Sequence, residues 1–138
     1  AGGEDFVAQV GDSLMDQLRA THRFLTFMKR YAPPPPDPRP PAVVQVDWDQ
    51  LHKAMALVYR YRSEALHSGL SFPPPLLEPP LQLAGDPPLS ERTVESAVAY
   101  GHAVWEASEL PMHLHVFEYI ARSALLNWLH DGEQGPTA

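Results

Sequence analysis

Sixteen prolines, most of them gathered into two tracts, constrain this chain of 138 residues more than any other feature. The first tract runs from Pro33 to Pro36 and continues through Pro38, Pro40 and Pro41. The second holds Pro73 to Pro75, Pro79, Pro80, Pro87 and Pro88. Proline has no amide hydrogen and its ring clashes with the preceding turn, so neither tract can form helix interior. Both read as stiff, extended connectors, and the folding elements must lie before, between and after them.

Helical periodicity marks those elements. Over residues 5–31, Val7, Val10, Leu14, Leu18, Phe24, Leu25 and Met28 recur near helical spacing, with Gly11 weakening the first part. Regular helix is therefore expected from Asp12 or Ser13, and Lys29 and Arg30 suit the negative end of its dipole. The second helix is the clearest. Asp47 and Gln50 have the spacing of a capping box, and Leu51, Ala54, Met55, Val58, Ala65 and Leu66 form its apolar stripe. Gly69 is placed to end it in the left-handed conformation. From Ser90 to Glu109 the spacing of Val94, Ala97, Val98, Gly101, Val104 and Trp105 predicts a third helix, although Val98 to Trp105 also alternates. A last helix is expected from Pro111 or Met112 to His130, with proline at its first position and Phe117, Ile120, Ala121, Ala124, Leu125 and Trp128 forming a broad apolar face. With no strong strand pattern, the expected fold is all-α: a bundle of about four helices joined by proline-rich loops.

Composition narrows the function. Apolar residues make up 44%, enough for one domain with one core. No apolar run approaches the ~18 residues of a membrane span. The absence of cysteine excludes disulfides and thiolate metal sites and fits a cytoplasmic location. The net charge of −7 argues against general nucleic-acid binding, because backbone affinity comes from cations that neutralise phosphates. Contact with RNA would need a local basic patch or a second subunit. No Gly-rich phosphate loop, nucleophile elbow or zinc motif is present, so no cofactor is expected. His113, His115 and Glu118 have a metal-like spacing, but on a helix the two histidines diverge by about 160°, and surface histidines are expected instead. Glu118 and Arg122 read as a stabilising i,i+4 pair, and Trp48, Trp105 and Trp128 as core or interface anchors.

The chemistry-bearing stretch is Tyr59-Arg60-Tyr61-Arg62-Ser63-Glu64-Ala65-Leu66-His67-Ser68-Gly69. Arg62 can offer a bidentate fork to phosphate oxygens, and His67 can exchange a proton near neutral pH. Together they suit attack of an RNA 2′-hydroxyl on the adjacent phosphorus. Five residues along a helix leave the two side chains about 140° apart, so convergence needs a distorted helix end or a second copy. Tyr59 and Arg60 mix an aromatic ring with charge, as an RNA-stacking surface would.

The stretch Arg62 to His67, followed by Ser68-Gly69, resembles the Arg-x4-6-His motif of HEPN domains. Leu57 to Ser63 looks like that family's motif helix, and Glu109 to Arg122 is similar to the closing segment of its Apea-like branch. The resemblance covers about residues 12–130 of a single domain spanning 1–138. It implies the C-terminal part of a longer bacterial defence or toxin-type protein, with an antitoxin or an N-terminal sensor domain as possible partner. It further implies a homodimer with a composite site that cleaves RNA without metal through Arg62 and His67. Ser63 falls at the supporting polar position, where the family often has Asn, Asp or His. Gly69 stands where one branch carries a modified tyrosine, so that regulation is not implied. Many HEPN domains are inactive binding modules, which leaves a non-catalytic dimerisation or ligand- or RNA-sensing module as the alternative.

Overall fold

The computed structural model describes residues 2–80, 88–94 and 97–135. Pro87, residues 95 and 96 of the expected third helix and the extreme ends of the expected domain lie outside them. Three α-helices carry the fold: α1 (Gly2–Tyr31), α2 (Leu51–Ser68) and α3 (Leu114–Glu133). Short 3-10 turns at Ala42–Val44, Trp48–Gln50, Pro74–Leu77 and Ala107–Glu109 punctuate the connectors.

Gly11 does not interrupt α1, which runs for 30 residues with Glu4 and Asp5 in its first turn and Lys29 and Arg30 in its last. Both ends complement the helix dipole. At 1.5 Å per residue α1 is about 45 Å long, against about 27 Å for α2. The two run antiparallel. Leu25 and Met28 lie beside Leu51 and Met55, whereas Gln9 and Asp12 lie level with His67. The start of α1 consequently overhangs the body, and every described residue through Asp16 is exposed.

The main core joins all three helices. Met28, Leu51, Met55, Val58, Val116, Ile120 and Ala124 pack together with Val46 and Met112 from the connectors. A smaller cluster of Tyr61, Leu76 and Leu110 packs against Leu57, Phe72, Val98 and Trp105. The Tyr61 hydroxyl donates to the Glu109 carbonyl at 2.9 Å, so its one polar atom is satisfied.

Residues Ser90–Glu109 do not form the expected helix. An antiparallel hairpin, β1 (Ala97–Tyr100) and β2 (Ala103–Glu106), occupies their second half, and the bundle has three α-helices among the described residues rather than four. The reason is local. Gly101 takes φ +63° and with His102 closes a two-residue turn, a geometry that suits a hairpin and breaks a helix. Val98 pairs directly with Trp105, and this pair turns inward against the small core. Helical spacing and alternation coexist here, and turn chemistry decides between them.

The start of α3 also differs. Pro111 is not its first residue. Met112 and His113 are buried in an extended lead-in, and His113 is the N-cap. Asp47 caps the Trp48–Gln50 turn by accepting from the Asp49 amide, and α2 proper begins after Gln50.

One buried carboxylate ties these connectors down. Glu91, 2% exposed, accepts from Arg39 Nε at 2.9 Å, Arg39 Nη2 at 2.5 Å and the Val46 amide at 2.7 Å. Its own amide donates to the Val44 carbonyl, and its carbonyl accepts from the His113 amide. Hydrogen bonding to Glu91 raises the Arg39 pKa. Removing one member of such a buried pair strands the other, a loss typically of about 3 kcal/mol. Glu91→Ala is therefore expected to lower unfolding stability by about 3 kcal/mol in urea titrations, whereas Glu118→Ala, which breaks only the exposed Arg122 pair, costs about 0.5 kcal/mol or less.

Candidate functional site

The site residues sit on the last two and a half turns of α2. Gly69 ends that helix at φ +66°, and the Gly69 and Leu70 amides both donate to the Glu64 carbonyl. This leaves His67 in the final turn and exposed.

Arg62, Ser63 and His67 line one open groove of about 520 Å³, whose opposite wall is α1 with Gln9, Asp12 and Asp16. The groove is broad enough to take in residues spread widely around α2. Taking Arg62 as the origin, Tyr59, Ser63 and His67 follow at about 60°, 100° and 140° around the helix. The groove spans that whole arc, with Arg62 and His67 as its edges and Tyr59 and Ser63 between them. A single chain thus assembles all three predicted residues on one surface.

Arg62 is exposed and makes no ion pair among the described residues; its Cζ lies 5.9 Å from the Tyr59 ring centroid. Tyr59 is half-buried and stacks on Phe24, with centroids 4.5 Å apart. Arg60 points elsewhere. It pairs with Glu64 at 3.7 Å and borders a neighbouring, largely apolar groove with Leu14, Leu18 and Leu57. Of the two residues expected to bind RNA, only Tyr59 shares the surface with Arg62 and His67.

The groove sets one permanent cation against two carboxylates. Arg62 and His67 face Asp12 and Asp16, and Asp16 also meets Arg19 at 3.5 Å. The carboxylates come from a helix about fifty residues earlier in the chain. Their four-residue spacing puts them on one face of α1, but nothing in the sequence says which face meets α2.

The expectation of surface histidines at the start of α3 is overturned. His113 is 9% exposed and His115 is half-buried, because the lead-in to α3 turns inward under the Glu91 segment. Their rings stack at 6.1 Å. Burial pushes both pKa values down; the neighbouring His115 adds to this at His113, while Glu91 and Glu118 partly oppose it at His115. Among the described residues no three potential ligands gather to hold a metal ion, and Glu118 pairs with Arg122. No described helix is long and apolar enough to cross a membrane.

No protein-family model, curated protein or solved structure matches this chain.

The histidine pair sets a pH dependence. A histidine whose folded pKa lies below its unfolded value binds fewer protons when folded. Stability is then full above the ordinary value of about 6.5 and declines as pH falls toward the lowered value. The urea midpoint is expected to drop between about pH 7.5 and about pH 5.5, and the slope to flatten in a His113→Gln/His115→Gln variant. The other five histidines are exposed, so an unchanged slope in that variant would refute this assignment.

Proposed function

We propose that this chain is a HEPN-like domain of a bacterial defence or toxin-type protein that cleaves RNA without a metal ion, using Arg62 and His67. The observation that carries this reading is the shared groove: Arg62, Ser63 and His67 open onto one surface, and Arg62 has no competing carboxylate partner among the described residues. His67 takes the proton of an RNA 2′-hydroxyl as its oxygen bonds to the adjacent phosphorus. The bond from phosphorus to the 5′-oxygen breaks, and that oxygen recovers a proton from the imidazolium. Arg62 neutralises charge on the phosphoryl oxygens throughout, and the Ser63 hydroxyl donates a hydrogen bond to one of them. The products are a 2′,3′-cyclic phosphate and a free 5′-hydroxyl. In the dimer that this reading includes, a second His67 can return the proton in place of the first.

RNA incubated with the protein in EDTA is expected to yield cyclic-phosphate ends. Arg62→Ala and His67→Ala should each slow cleavage by about 10²-fold or more. Equal cleavage by the parent and both variants, or none by the parent, would sink the proposal.

A specific observation favours a second reading, a non-catalytic dimerisation or sensing module. The first half of α1 exposes an apolar stripe, with Val7 at 70% exposure and Phe6 and Val10 alongside, that continues through Leu14 and Leu18 into the apolar groove beside α2. Such a stripe is characteristic of an interaction surface. Leu14→Glu/Leu18→Glu is expected to leave the fold intact and to abolish self-association in sedimentation analysis. Loss of association without loss of RNA cleavage would separate the two roles.

A further inference from the structure

Arg62 and Tyr59 form a ridge with a cavity on each side. On one side lies the polar groove of the proposed site. On the other lies a pocket of about 410 Å³, walled by Phe24, Tyr59, Phe72 and Phe117, with the Arg62 guanidinium at its border. Val58 and Leu114 complete it. All three helices and the loop after α2 contribute, so the pocket stands where the whole fold meets. Its volume lies within the ~300–1,000 Å³ typical of small-molecule sites.

We propose that this pocket receives an unstacked base of single-stranded RNA, the base next to the phosphate held by Arg62. This rests on the ribonuclease reading and specifies how its substrate is held. Three features carry it. Tyr59 is already stacked on Phe24, so Phe72 and Phe117, with the outer face of Phe24, offer the stacking surface, which binds any base because every base has a π-face. The cation at the border complements a phosphate, and the same arginine faces the polar groove, so base and scissile phosphate would straddle one residue. Arg62 and the Tyr59 hydroxyl are the only polar side-chain groups among the residues that line the pocket. Such a wall stacks a base without reading its edge, so the preference among bases is expected to be weak.

The test uses the full chain and a short single-stranded DNA carrying 2-aminopurine, which lacks the 2′-hydroxyl and cannot be cleaved by this route. Stacking in the pocket is expected to quench its fluorescence saturably. Phe72→Leu should weaken binding about tenfold, Phe72→Tyr should bind as the parent does, and Arg62→Ala should weaken binding through loss of the phosphate contact. Absence of quenching by the parent, or equal affinity of Phe72→Leu and the parent, overturns the proposal. RNA cleavage in EDTA is followed in parallel. Cleavage without quenching removes the base pocket and leaves the ribonuclease reading standing. Quenching without cleavage keeps the pocket and removes the ribonuclease.

Discussion

The carboxylate of Glu91 is the interaction on which the rest of this structure leans. A buried charge is tolerated only when its lone pairs are used, and here Arg39 and the Val46 amide use them. The consequence is topological. The first proline tract cannot hold itself in place, because proline offers no amide for a ladder or a helix. Arg39 lies inside that tract, so pairing it with Glu91 pins the connector between α1 and α2 against the segment that leads to α3. Arg39 also donates to the Val46 carbonyl at 2.8 Å and sits over the Trp48 ring, which anchors the entry to α2. The Trp48 indole closes the loop by donating to the Pro33 carbonyl.

That pinning sets the helix arrangement around the candidate site. The Glu91 carbonyl receives the His113 amide, which fixes where α3 begins. Leu114 and Phe117, in the first turn of α3, then meet α2 at Val58 and Arg62. At the far end, Arg30 and the Tyr31 hydroxyl both reach Asp131, and Asn127 donates to the Tyr31 carbonyl. Helices α1 and α3 are thus held together at the end of α1 remote from the groove, while the other end of α1 overhangs freely. The wall carrying Asp12 and Asp16 belongs to the least supported part of α1.

How much of this was legible in the sequence follows from which forces are local. The end of α2 was legible, because a glycine in the left-handed region leaves a mark that requires no knowledge of the fold. The inward stripe of Leu51, Met55 and Val58 was legible for the same reason of spacing. The hairpin was not, since Val98 and Trp105 fit a helix stripe as well as an alternating strand and only the Gly101-His102 turn separates the two. The Glu91 pairing spans 52 residues to Arg39 and has no periodic signature at all. The groove lies between these extremes. Arg62 and His67 could be named from the sequence, but the angular breadth of the surface they share depends on how α1 crosses α2. The aromatic pocket gathers residues from positions 24 to 117, which no local pattern connects.

The charge balance of the groove bears on how any RNA could be held by a chain with a net charge of −7. A phosphate entering between α1 and α2 meets Arg62 and His67 on one wall and two carboxylates on the other. Long-range attraction is therefore weak, because at a separation of about a Debye length the two carboxylates offset Arg62. At contact the balance changes. Arg62 can reach a phosphate oxygen directly, whereas the carboxylates act only across the groove, and Coulomb energy falls with distance. Binding on these terms is short-ranged and depends little on salt, so most of the affinity must come from apolar and stacking contacts. The aromatic pocket supplies such contacts on the other side of the same arginine. On the reading proposed above, an acidic domain with an aromatic pocket beside Arg62 is consequently a more coherent RNA site than its charge suggests. Such a site would select unpaired strands, whose bases are free to leave the stack, over duplexes recognised through their phosphates.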